Sequence, residues 1–293
     1  MIKPSVNKEE KNLIKKLWSV IYKQKGYETD MNFLKLTLWL SAIMISGCQT
    51  STNNKTSIAT NDRIEVSAQK ADPEAAASKY LSLGMQYIQA GYLERAKDRL
   101  TKAEYYGPDM PDVMFGFAYY YQKVFEYEKA DLYYKKALKR QPNNGDYLNA
   151  YGAFLCSAKK DYDGAIEYFE KAIKVSDYTS VGATYENAGF CALEDSSYTR
   201  AEEYFEKALT FNPNLINSLY GLAKVSFESG NYNKAESLLL KYEGYTKPTS
   251  ESLLLGYKIG RRLNDSITMK SYGEKLMQLY PTSQEAEIYL RMK

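Results

Sequence analysis

The sequence predicts an all-α solenoid of about six helix–turn–helix units. Three observations predict it. Ala96, Ala130, Ala165, Ala201 and Ala235 recur at steps of 34, 35, 36 and 34 residues. A second set, Ala103, Ala137, Ala172 and Ala208, keeps the same step. A third set of small residues, Gly84, Ala118, Gly152, Gly189 and Ala223, lies twelve or thirteen residues before each alanine of the first set. A period of this length marks a stacked repeat, in which one unit cannot bury its apolar face alone.

The chain opens with a segment that the repeat does not include. Leu36 to Ile45 is an apolar run of about ten residues, against roughly 20 for a membrane-spanning helix. It fits the apolar core of a secretory signal. Lys35 supplies the positive flank, and Ser46 and Gly47 supply small residues at the cut. Ile45-Ser46-Gly47-Cys48 resembles the lipobox of bacterial lipoproteins. That resemblance implies cleavage before Cys48 and lipid attachment to it. Met31 begins an ordinary signal sequence, Met-Asn-Phe-Leu-Lys-Leu, so translation starts either there or, with an extended basic leader, at Met1. Residues 1–47 are expected to be absent from the mature protein. From Cys48 to Asp72 the chain is rich in Ser, Thr and Asn and has few apolar residues. Such a segment reads as a flexible tether, spanning on the order of 25–30 Å.

The repeats follow over 73–293. Units are expected at about 77–110, 111–144, 145–181, 182–215 and 216–249, with a degenerate sixth at 250–283. Each reads as two helices of about three turns. Gly91, Asp161-Tyr162, Ser196-Ser197 and Gly230-Asn231 mark the turns between them. Small residues on both helices of a unit let the axes approach closely. Pro108, Pro142 and Pro213 stop the second helices. Tyr80, Leu83 and Tyr87, then Met114, Phe117 and Tyr121, then Leu148, Tyr151 and Leu155 fill the gaps at helical spacing. The third unit is three residues too long and has Asp177 where the proline belongs. The fifth has Tyr242 for the second alanine. The sixth keeps Gly256, Tyr272 and Pro281, and Glu285 to Lys293 extends it as a final helix.

This pattern resembles the tetratricopeptide repeat, five times in register. The resemblance implies a right-handed superhelix whose first helices line a concave groove for an extended peptide or a partner helix. The groove would then carry Phe115, Tyr119, Asn149, Glu186, Phe190 and Tyr220, although an aromatic residue at helical spacing is more often core than contact.

Composition narrows the function. Eight of the 39 basic and four of the 36 acidic residues lie in 1–47, leaving 31 against 32 in 48–293. A balance this even does not suit a nucleic-acid footprint. There is no histidine, which removes the commonest general base and metal ligand. No phosphate loop, dinucleotide glycine pattern or Cys-x-x-Cys occurs. Glu202-Glu203 reads as a solvated helix face. An enzyme, a cofactor and a bound metal are therefore not expected.

Cys156 and Cys191 lie 35 residues apart in the first helices of units three and four. The lipoprotein signal implies an oxidising compartment, where thiols pair if geometry permits. The alternative is two small buried apolar side chains. Their places within the repeats differ by about two positions, which sets a bridge against the roughly 7 Å limit on Cα separation.

A lipobox, a short tether and about six units together resemble the type IV pilus biogenesis lipoproteins of the PilW/PilF type, the pilotins. The resemblance implies a protein anchored by acyl chains to the periplasmic face of the outer membrane, where it promotes localisation and multimerisation of secretin subunits. Gln49 after the lipidated cysteine fits outer-membrane sorting in enteric-type bacteria. Two other interaction proteins fit the same features: a lipoprotein of the β-barrel assembly machinery and a scaffold for peptidoglycan enzymes.

Overall fold

The computed structural model describes residues 72–293. The leader, the Ile45–Cys48 box and nearly all of the tether lie outside them. Among the described residues there are thirteen α-helices. They pair in sequence order as α1 (Pro73–Gln89) with α2 (Leu93–Tyr106), then α3 (Pro111–Lys123) with α4 (Tyr127–Arg140). Next come α5 (Gly145–Phe154) with α6 (Tyr162–Ile173), and α7 (Val181–Glu194) with α8 (Tyr198–Phe211). The last pairs are α9 (Ile216–Glu228) with α10 (Tyr232–Glu243), and α11 (Ser250–Leu263) with α12 (Ser266–Leu279). Helix α13 (Gln284–Met292) closes the stack.

Local chemistry sets the ends. Asp72, the last residue assigned to the tether, accepts the Glu74 N–H and caps α1, with Pro73 in the first turn. The α1 helix thus starts four residues before the repeat register does. Thr249 and Ser252 form a reciprocal capping box on α11. The sixth unit, read as degenerate, still has two helices of fourteen residues each.

Each pair is joined by a tight turn holding one residue in the left-handed region. These are Gly91 (φ 77°), Phe125 (62°), Lys160 (56°), Ser196 (60°), Gly230 (80°) and Asn264 (58°). The third turn is Lys160-Asp161 rather than Asp161-Tyr162. Asp161 accepts the Gly164 N–H as the cap of α6, so Tyr162 is already helical.

The alanines of the first and second sets are fully buried. They mark where helices of a pair nearly touch. A Cβ added at Gly152 would come 3.0 Å from the Ala165 carbonyl oxygen, closer than ordinary contact. Bulky residues fill the space around these points. One core cluster runs from Ala118 to Cys191 without a break at unit boundaries, as stacking requires.

The three extra residues of unit three now have places. Gly152 precedes Ala165 by thirteen residues, where the other units have twelve. A π-helical turn at Leu155–Lys159 takes up that residue. The other two fall between Ala172 and Gly189, which are 17 residues apart where the other units have 15.

Five of the six successive pairs of first helices approach closely, α1 with α3, α5 with α7, α7 with α9, α9 with α11, and α11 with α13, and α3 meets α5 through side chains, Phe115 on Tyr147. Second helices of successive units make no comparable contact. The first helices are therefore the closely spaced, inner layer of the stack.

Polar bonds tie neighbouring units. The Tyr151 hydroxyl donates to Asp131 at 2.7 Å, and Lys135 donates to the other carboxylate oxygen at 2.7 Å. Burial opposes the Asp131 charge, but the bonds from Lys135 and Tyr151 outweigh it and hold this carboxyl below its ordinary pKa. Such a group stabilises the fold above its unfolded pKa and loses that contribution as pH falls through its folded value. Tyr151→Phe is expected to cost about 1–2 kcal/mol at pH 7. The gap to the unaltered chain should narrow below about pH 4. Urea unfolding at neutral and acid pH checks this; a gap independent of pH would assign the hydroxyl no electrostatic role.

Candidate partner-binding groove

The six groove positions all lie on first helices and are all half-buried. They divide by what they touch. Phe115 stacks on Tyr147 of the next first helix at 4.8 Å and meets Tyr134 edge-on at 5.9 Å. Tyr220 packs on Tyr242 at 5.4 Å, and burial pushes its hydroxyl pKa up. These two rings serve mainly as packing.

Asn149 accepts from the Asn187 amide at 3.0 Å, and Glu186 accepts from the Ser218 hydroxyl at 2.7 Å. A third bond runs from the Tyr147 hydroxyl to Asp112. Burial and this carboxylate push the Tyr147 pKa up, so the phenol stays a donor. Together these bonds form a ladder from α3 through α5 and α7 to α9. Asn149 and Glu186 therefore spend polar capacity on joining units.

Tyr119 and Phe190 flank core clusters. The Lys123 ammonium sits 5.3 Å from the Tyr119 ring centre, an arrangement that attracts cation to π-face. Phe190 meets Phe205 edge-on at 4.9 Å. It lines a hollow of about 320 Å³ with Leu193, Glu194, Tyr198, Lys224 and Glu228. Lys224 stands one repeat step of 34 after Phe190, and Lys258 a further 34 on. This inner-layer position thus passes from aromatic to cationic toward the C-terminal end. Sequence reading took its groove positions from the family resemblance, which did not single out these cations.

The Cα atoms of Cys156 and Cys191 lie 5.8 Å apart with their sulfurs facing, inside the range that a bridge spans. The offset between their repeat positions does not separate them. In a stack, a helix turns one face to its predecessor and the opposite face to its successor. Contacting side chains therefore come from positions about half a turn apart, and two residues are about 200° of helix.

No helix among the described residues is long and apolar enough to cross a membrane. Nor do these residues group three or more side chains of the His, Cys, Asp or Glu type that could hold a metal ion.

Comparison with known proteins agrees with this geometry. Tetratricopeptide repeat models match residues 111–144, 146–178 and 192–247. The chain is 31% identical over 248 residues to the type IV pilus assembly protein PilF of Pseudomonas aeruginosa, covering 85% of this chain and 94% of that one. A solved structure of Pseudomonas aeruginosa PilF matches with a TM-score of 0.66 at 31% identity, over 75% of this chain and 99% of that one. The structure of PilW, described as a widely conserved type IV pilus biogenesis factor, shares the fold with a TM-score of 0.69 at 24% identity, over 73% and 98%. The matches are to repeat scaffolds rather than to enzyme families. With its repeats in register and its similarity running along nearly the whole of the pseudomonad protein, the chain belongs to the PilF family of tetratricopeptide-repeat proteins.

Proposed function

We propose that this protein is a pilotin. It would be lipidated at Cys48, held on the periplasmic face of the outer membrane, and would promote localisation and multimerisation of secretin subunits during type IV pilus biogenesis. The observation that carries this reading is the similarity over 94% of the PilF chain, joined to the Ile45-Ser46-Gly47-Cys48 box ahead of a short tether.

The mechanism is passive. Each buried acyl methylene contributes about 0.8 kcal/mol, and more than one chain gives stable anchoring. The tether gives reach. Tyr119 and Phe190 offer apolar anchorage for a subunit segment. Holding anchor and client on one surface raises the effective concentration for assembly. An oxidising compartment would close the Cys156–Cys191 pair.

The test is to change Cys48 to Ala and run unboiled outer membranes on a gel, probing for secretin multimers with an unrelated porin as control. Multimers are expected to disappear while the porin stays. Loss of both would move the protein to general barrel assembly, and loss of neither would assign its groove another client.

A further inference from the structure

The cationic end of the inner layer holds a hollow of about 490 Å³, lined by Phe227 of α9, Lys258, Arg261 and Arg262 of α11, and Met292 of α13. Lys258, Arg261 and Arg262 are spaced to share one helix face. None of the three has an ion pair or a side-chain hydrogen bond among the described residues. Some surface cations elsewhere find partners across units, as Lys160 does with Glu194 and Lys234 with Glu202, while others, such as Lys97, Lys139 and Lys241, have no ion pair among the described residues. Arg262 is steadied by the Tyr232 ring, 5.8 Å from its guanidinium carbon.

A structural role explains part of this. Arg261 and Arg262 lie in the last turn of α11, where cations offset the helix dipole. Lys258 lies a turn earlier, and the dipole does not account for an apolar wall of Phe227 and Met292 beside three like charges. We propose that this hollow binds an acidic peptide segment of a partner protein, with an apolar side chain between Phe227 and Met292 and carboxylates on Lys258, Arg261 and Arg262. Guanidinium groups accept carboxylates as two-pronged partners. The apolar wall of Phe227 and Met292 favours a peptide that carries an apolar side chain beside its carboxylates over a bare phosphate. The site adds a second contact for a client, beyond Tyr119 and Phe190, and does not depend on the client being a secretin.

The test uses the full chain and a fluorescein-labelled peptide of Asp and Glu containing two Phe residues, followed by anisotropy. Saturable binding is expected, weakening as salt screens the charges. The Lys258→Gln, Arg261→Gln, Arg262→Gln triple variant should bind about tenfold more weakly. Arg261→Lys with Arg262→Lys keeps the charge and loses the forks, so it should fall between the two. An acidic peptide with Ser for Phe should bind less well than the Phe peptide. Helical circular dichroism confirms that the variants are folded. Peptide binding that is absent, or unchanged in the folded triple variant, overturns the proposal. So does preference for phosphatidylglycerol vesicles through the same three cations, which would make the site a lipid contact.

Discussion

Phe205→Ala is expected to lower the unfolding free energy by about 3–5 kcal/mol, the range for a phenylalanine removed from a closed core. Phe205 is fully buried in α8. Its ring occupies the room left by two glycines on different first helices. A Cβ added at Gly189 of α7 would come 2.7 Å from the ring, and one at Gly221 of α9 would overlap it. The same ring takes the edge of Phe190. One side chain thus closes its own unit and fastens the next unit onto it. Alanine would leave a cavity that the two helices cannot fill without moving together. Because a solenoid's stability is roughly a sum of unit and neighbour terms, the loss should fall on the junction of units four and five. Urea unfolding of the variant checks this. A cost under about 1 kcal/mol would mean that the ring does not hold this junction.

Opening the Cys156–Cys191 pair is expected to have a comparable effect. A bridge over a sequence separation of 35 residues corresponds to about 4 kcal/mol of lost unfolded-chain entropy. For a chain of this size that is on the order of 10 °C in unfolding midpoint. Calorimetry of oxidised protein, of protein held in reductant and of the Cys156→Ser, Cys191→Ser double variant makes the comparison. The last two should agree with each other and lie below the first. Three equal midpoints would show that the thiols are not joined or that their link adds no stability.

The fold was legible because its closest contacts demand particular residues. Ala96, Ala130, Ala165, Ala201 and Ala235 occur where a larger side chain would push two helices apart, so the packing leaves a periodic mark. Turns at Gly91 and Gly230 were readable for a similar reason, since glycine tolerates a left-handed backbone. Phe125 occupies the equivalent place in unit two with a ring that is 76% exposed, and nothing in its chemistry announces a turn. The groove was less legible. Asn149 and Glu186 pair with Asn187 and Ser218, at separations of 38 and 32 residues. Neither separation is a repeat step, so periodicity does not reveal that these groups are already engaged. The cysteine offset was readable, but its meaning depends on which faces of neighbouring helices meet, and that is a property of the stack.

The π-helical turn at Leu155–Lys159 preserves the phase of the inner surface. One extra residue in an ordinary α-helix rotates everything beyond it by about 100°. Had unit three absorbed its insertion in that way, the second half of the stack would aim its inner positions elsewhere. Widening a single turn confines the surplus to that turn. Phe190, Lys224 and Lys258 consequently keep the repeat position of Tyr119 on the far side of the insertion.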